Sequence, residues 1–454
     1  MKRKIIALLT VAALALSLMA CGGGDTGDKT NDPNTPQGGQ QGDNSGEPGG
    51  KAEAVTVTEP VTIVLWHTRG AGANGTEMDR VVAEFNETNE YGITVQSEFI
   101  GSYSAIMPKT LTSIASGNNP TLVMSSAQNM ATLMTKDALA DLTPYVERDN
   151  FDMENYPSAL MPYSYYNGEI VSLPYLVSTC ILVYNKDLFD QAGVSVPTSL
   201  EELEAIGPTI QKKTGAQAFG MPIDPTYMQD AMLRSLGGNG IIDEDGSTVS
   251  CLENGSFAQL ANDWLSWIEA GWCKGPNITS TATDLQESFY QGKLASFLVS
   301  SGSLQNIMEQ CGGIVNMGVA YMPGYGGKAT SIGGANIAVI EKNHNQQEIA
   351  AAWEFLKFLM EDDQLAQNAI NTGYLPATAS SAATEQMASY WQETPEAKVA
   401  YDQLEWASVA SFSIFTSEWY DQMTSAFSYV VQAKNMTGEQ AADYLKKQYN
   451  SIFD

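Results

Sequence analysis

The chain is 454 residues long and carries 52 Asp and Glu against 23 Lys and Arg, a formal net charge of −29. Acidity on that scale argues against nucleic acid and anionic lipid as partners, since both repel a surface of their own sign. Its two histidines, His67 and His344, exclude a three-His zinc site, and its length is too great for one hydrophobic core, which points to two domains.

Met1-Lys2-Arg3-Lys4 precedes an apolar run over residues 5–20 that ends in Leu18-Met19-Ala20-Cys21. The run is shorter than the roughly 20 residues of a spanning helix and closes on small residues, so residues 1–20 are predicted to be an export signal. The Leu-x-Ala-Cys ending resembles a bacterial lipobox, which implies a lipid on Cys21 and anchorage to the outer face of the cell membrane. Residues 21–58 hold almost no large apolar side chain before Val55 and predict a flexible tether. Cys180, Cys251, Cys273 and Cys311 remain. Export permits disulfides, with Cys251 and Cys273 the closest pair in sequence, and free buried thiols are the alternative.

Within the body, residues 61–66 form a buried-strand pattern. A polar loop follows, then Met78, Val81, Val82 and Phe85 at helical spacing, and a second strand opens at 93–95. This β-loop-α-β order predicts a parallel sheet, whose ligands gather at the carboxyl ends of the strands. Trp66, His67, Thr68 and Arg69 then stand at the mouth, Arg69 as an anion holder or a surface residue. A helix over 104–116 and a short strand at 121–124 lead to Ser125-Ser126, small and polar at a strand end. Residues 138–145 read as a helix end and a turn. Residues 168–176 read as a strand pair bent at Pro174, after which 181–189 supply another strand and a helix. Ser126 and Ser178 follow strands and suit either turn capping or ligand contact.

Helical segments are predicted over 200–213, 228–236 and 257–270, punctuated by glycines and by Asp243-Glu244-Asp245-Gly246. That cluster lacks the spacing and closing Glu of an EF-hand and reads as a turn. Residues 294–299 form a compact apolar run that breaks at Ser300-Ser301-Gly302-Ser303 before helical spacing resumes at Leu304 and Ile307. Strand, hydroxyl-rich turn and helix start offer a helix cap, and the same N–H groups and hydroxyls suit an oxygen-rich ligand. Two further strands cover 318–327 and 331–340, the second with Gly333-Gly334 for close backbone approach. A strongly apolar helix follows over 347–360. Thr372-Gly373-Tyr374 ends a helix and presents an aromatic, and the remaining tail is helical.

Signatures of catalysis are missing: no Cys-x-x-Cys, no complete Walker A and no G-x-S-x-G occur. The pieces Leu65-Trp66-His67-Thr68, Gly117-Asn118-Asn119-Pro120, Tyr184-Asn185-Lys186-Asp187, Phe289-Tyr290-Gln291-Gly292-Lys293, Ser300-Ser301-Gly302-Ser303, Ile332-Gly333-Gly334 and Thr372-Gly373-Tyr374-Leu375-Pro376 run in order along the body. In this the chain resembles the extracellular solute-binding lipoproteins of ABC importers, family 1, in the sugar and glycerol-3-phosphate-binding branch.

The resemblance implies an α/β, two-lobe periplasmic-binding-protein-like (type II) fold with a central interlobe cleft. One lobe would comprise 59–176 with 333–376 and the other 177–332 with 377–454, hinged near 175–176, 330–331 and 374–375. It implies a monomer that is not an enzyme, uses no cofactor or metal, and delivers a small-molecule ligand to permease subunits of the transporter. Implied ligand contacts are Trp66, His67, Thr68, Tyr103, Ser126, Ser178, Asp224, Tyr227, Ser300, Ser301, Gly302, Gly333, Gly334 and Tyr374. Two departures matter: Ala127 stands where the branch has an acidic contact, and residues 404–433 hold no Lys or Arg where it has a ligand-facing arginine. The expected ligand is therefore a neutral mono- or oligosaccharide. A glycerol-3-phosphate or glycerophosphodiester is the second reading, and a surface-anchored carbohydrate-active enzyme the third.

Overall fold

The alternation of apolar side chains along residues 62–67 buries Ile63 and Leu65 completely, and it makes this strand, β1 (Thr62–His67), the first of a sheet. The computed structural model describes residues 53–223, 227–243, 245–277, 281–408 and 416–453. The signal at 1–20, Cys21, most of the tether, and Asp224 lie outside the described residues. Helix Ala73–Thr88 buries the predicted Met78, Val81, Val82 and Phe85 and returns the chain to β2 (Thr94–Phe99), parallel to β1. Helix Tyr103–Ser116 follows, capped by Ser102 and closed by Gly117 at φ 76°, a left-handed stop that glycine adopts without strain. It leads to β3 (Leu122–Ser126), parallel to β1 on the other side.

The strand pair expected over 168–176 is instead a short hairpin (Tyr165–Tyr166 with Glu169–Ile170) followed by one long strand, β4 (Leu173–Asn185). Pro174 does not end it. Leu176 pairs with Ala335 and Pro174 with Asn336, so Tyr175 is the extra residue of a bulge, where a missing ladder N–H is tolerated. The segment 138–145 also departs from expectation. Leu139 bridges Ile340, and a helix begins there rather than ends, at Thr143–Asp149 with Pro144 in its first turn, where proline's missing N–H costs nothing.

The remaining strands of this sheet are β5 (Phe219–Gly220), β6 (Cys273–Lys274), β7 (Ser296–Ser300), β8 (Met317–Tyr321) and β9 (Ile332–Val339), and its order is β2-β1-β3-β9-β4-β7-β5-β6, with β8 also on β4; the strand expected over 318–327 stops at Tyr321 and gives way to a separate small hairpin of Pro323–Gly324 with Gly327–Lys328. The sheet is thus parallel through its first three strands, as predicted, and antiparallel where β9 and β4 join it. β4 is the thread between its halves: up to Thr179 it pairs with β9, and from Cys180 onward with β7 and β8. Its alternate side chains serve two cores, Ile181 and Val183 on one face and Cys180 and Leu182 on the other. The four cysteines after Cys21 are free and buried. Asp243 and Asp245 accept hydrogen bonds from Thr248, Ser247 and Ser250 within their own turn. Among the described residues no helix is long and apolar enough to cross a membrane.

Candidate functional site

The ends of β1, β3 and β7 and the middle of β4 and β9 meet around a cleft of about 1000 Å³. Thr68, Tyr103, Ser126, Ser178, Tyr227, Ser300, Gly302, Gly333, Gly334 and Tyr374 line it. Trp66, His67 and Ser301 do not. Trp66 packs with Ile106 and Val123 while Lys109 Nζ sits 4.4 Å over its ring. His67 Nδ1 accepts the Arg69 N–H at 3.2 Å, and burial, then the Arg69 charge, push the imidazole down to about 4, so it is neutral. Ser301, fully buried, accepts from the Thr179 N–H at 3.3 Å and ties the turn to β4. These three stand behind the wall and shape it.

The turn itself is built as a cap. Ser300 Oγ accepts the Gly302 N–H at 3.3 Å and opens a 3₁₀ turn (Ser301–Ser303) that runs into helix Leu304–Cys311. Capping thus falls to Ser300, since Ser303 makes no side-chain cap bond. Gly302 lies directly under Tyr374: a Cβ there would be 2.6 Å from Tyr374 Cζ. Its carbonyl accepts from Asn74 Nδ2 at 3.0 Å, which fixes the loop after β1 against the turn. Burial, and then Tyr374, raise the Tyr103 phenol well above its ordinary value, and Thr68 and Tyr374 hydrogen-bond it.

On the other side Gly333 leaves room for Tyr227, whose Cζ would be 3.3 Å from a Cβ at that position, and for Ser178, whose Oγ would be 3.1 Å away. Gly334 has φ 136°, and a Cβ there would lie 1.8 Å from the Leu176 carbonyl oxygen, so only glycine fits beside the crossing strand. The Tyr227 hydroxyl is buried beside the Ser178 and Ser300 hydroxyls, and burial raises its pKa far above the ordinary phenol.

Several lining residues lie outside the expected contacts. Arg69, the residue equally readable as surface, is 3% exposed: Nη1 donates to Asn368 Oδ1 at 2.7 Å, Nη2 to Asn74 Oδ1 at 3.4 Å, and the guanidinium lies 5.9 Å from the Tyr374 ring centroid. Asn129 lines the cleft and is fixed by bonds from Nδ2 to the Tyr103 carbonyl and Ser125 Oγ. Asn336, held by Ser172 at 2.9 Å, also faces it. Helix Thr416–Val431 adds Tyr420, Asp421 and Thr424, a polar stripe beside buried Trp419, Met423 and Phe427. That stripe at helical spacing is the one sequence cue to these residues. Burial, then Glu418, raise the Asp421 carboxyl. Among the described residues nothing groups three metal-ligating side chains. What lines the cleft is three tyrosines among hydroxyl and amide side chains.

A family model of bacterial extracellular solute-binding proteins matches residues 80–398. The sn-glycerol-3-phosphate-binding periplasmic protein UgpB of Salmonella typhimurium is 28% identical over 378 residues, covering 78% of this chain and 82% of that protein. The Escherichia coli protein of the same name is 26% identical over 377 residues with the same coverage. Among solved structures, UgpB from Mycobacterium tuberculosis in complex with glycerophosphocholine has a TM-score of 0.78 at 22% identity, covering 87% of this chain and 99% of that one. The GacH receptor of Streptomyces glaucescens, solved unliganded and with acarbose, has a TM-score of 0.77 at 18% identity over 86% and 98%. An ABC substrate-binding protein of Listeria monocytogenes in complex with cycloalternan has 0.75 at 23% identity over 87% and 99%. At such identities the shared feature is the fold, two α/β lobes facing each other across a cleft.

Proposed function

The chain belongs to the bacterial extracellular solute-binding proteins, and from that premise we propose that it captures a neutral mono- or oligosaccharide in the cleft and hands it to the membrane subunits of an ABC importer. The observation that carries this reading is the lining: Tyr103, Tyr227 and Tyr374 supply the aromatic surface on which sugar rings pack, and serine, threonine and asparagine side chains among them suit hydrogen bonds with hydroxyls. The volume suits more than one sugar ring. Two relatives by fold are described with acarbose and with cycloalternan, ligands of the same chemistry.

The ligand leaves unchanged, and no enzyme activity is part of this reading. Lobes of 59–176 with 333–376 and of 177–332 with 377–454 close on it, with hinges near 175–176, 330–331 and 374–375. The passage of β4 from one half of the sheet to the other and its bulge at Tyr175 support hinges there. The protein works as a monomer outside the cell membrane, tethered through a lipid on Cys21.

A glycerophosphodiester is the second reading, favoured by the buried Arg69 guanidinium at the cleft and by the names of the UgpB relatives. Thermal-shift screening of residues 53–454 against neutral oligosaccharides and glycerophosphodiesters tests both, because a bound ligand raises the unfolding midpoint by mass action. A rise with an oligosaccharide and recovery of that sugar intact support the first reading. A rise with phosphodiesters alone sinks it, and release of a hydrolysis product sinks the non-enzymatic reading.

A further inference from the structure

Arg69 and Asp421 are the only charged side chains among the described residues that line the cleft. Of the five N–H groups on the Arg69 side chain, one on Nη1 serves Asn368 and one on Nη2 serves Asn74, and the buried Tyr175 hydroxyl is a third neighbour in hydrogen-bonding reach, which leaves donors over. No carboxylate of the described residues makes an ion pair with it. The nearest acid along the following helix, Glu77, is engaged by Arg80 at 2.7 Å and by Asn371 at 2.6 Å. A buried cation with unspent donors is costly to leave to itself, and a ligand that displaces water from it must supply acceptor oxygens. Asp421 stands at the exposed rim of the same cleft. Its carboxylate is open to solvent on one side and lines the cleft on the other, forms no ion pair with a described residue, and when ionised can only accept.

Resting on the importer reading, we propose that Arg69 and Asp421 are ligand-contacting residues that select for zero net charge: Arg69 donates to acceptor oxygens, Asp421 accepts hydrogen bonds from hydroxyls or faces a cationic group, and an anion without a compensating cation is turned away. Such rejection works through an unpaired like charge in the competing complex rather than through better contacts with the favoured one. An uncharged sugar and a zwitterionic phosphodiester both satisfy the pair. A simple phosphate monoester satisfies Arg69 and meets repulsion at Asp421. The chain should therefore refuse the ligand named for its UgpB relatives.

Calorimetric titration of the protein and its Asp421→Asn, Arg69→Lys and Arg69→Gln variants with mannotriose, glycerophosphocholine and glycerol 3-phosphate tests this. In the parent, mannotriose or glycerophosphocholine binds at least about tenfold more tightly than glycerol 3-phosphate, the scale of one charge-assisted hydrogen bond. Asp421→Asn narrows that gap about tenfold by admitting the monoester, a gain that a merely structural role would not give. Arg69→Lys keeps the charge and loses the fork, and weakens the net-neutral ligand about tenfold in a free protein that still unfolds cooperatively, its midpoint lowered by the lost bonds to Asn368 and Asn74. Should Arg69→Gln fail to fold, Arg69→Lys alone decides the arginine's part. A parent that binds glycerol 3-phosphate as tightly as the neutral probes, or an Asp421→Asn variant with an unchanged gap, overturns the charge selection. Glycerophosphocholine binding with no response to mannotriose removes the sugar reading but leaves the charge selection standing. No binding of any of the three overturns both.

Discussion

His67 shows how a residue at the mouth of a sheet acts without facing the ligand. Burial, followed by the neighbouring Arg69 charge, lowers its pKa from 6.5 to about 4, and its Nδ1 holds the Arg69 backbone in place. Between those two values the unfolded chain binds a proton that the folded one does not. Stability contributed by the neutral ring is therefore intact above 6.5 and is lost as pH falls through the window. His67→Gln keeps an acceptor and removes the titration. Its urea midpoint should fall less than the parent's between about pH 7 and about pH 4.5, and an equal fall in both would refute the assignment. The same residue scale is where the linear pattern was weakest. The positions of Trp66, His67 and Arg69 at a strand end were legible, but which of them turned inward was not. Arg69 is fixed by Asn368, 299 residues away, and Ser301 is held by β4, 122 residues away. Neither contact leaves a trace in local periodicity.

At the level of elements, the strand-turn-helix of residues 296–311 and the strand β9 carry the cleft on glycines. A methyl group at Gly302 would strike the far end of the Tyr374 side chain, so the ring rather than backbone must shift. Gly302→Ala should weaken ligand binding by about tenfold, read by calorimetry, with a stability loss within about 1 kcal/mol. A variant that binds like the parent would place Tyr374 outside the contact. At Gly334 the obstacle is backbone, the Leu176 carbonyl, and φ is 136°. Gly334→Ala should cost about 3 kcal/mol or more in denaturant unfolding, because neither strand can retreat without breaking the β4–β9 ladder. A loss below about 1 kcal/mol would show that the ladder yields. Helix existence and the small polar strand ends were readable from spacing and composition. The continuity of β4 was not, since Pro174 signals a break unless a bulge opposite Asn336 absorbs it.

For the whole molecule the net charge of −29 leaves a cleft whose described lining is balanced, one cation against one anion. Binding of an uncharged sugar should therefore change less than about twofold between low salt and about 0.5 M salt, whereas capture of an anion by so acidic a protein would respond strongly. Calorimetry across that range decides, and a tenfold drift would count against a neutral ligand. Closure of the lobes should reduce the radius of gyration in solution scattering when ligand is added, and an unchanged radius would argue against a hinged capture. By itself the sequence determined the solute-binding family, the α/β class, the order of most elements and the glycine-marked turns, because these rest on local periodicity, on caps and on short motifs in register. The tertiary structure alone decided the inward turn of Arg69, the retreat of Trp66, His67 and Ser301 behind the wall, the antiparallel seam of β4 and β9, and the arrival of Asp421 from the C-terminal helices. Each of these depends on partners distant in the chain, and only packing brings such partners together.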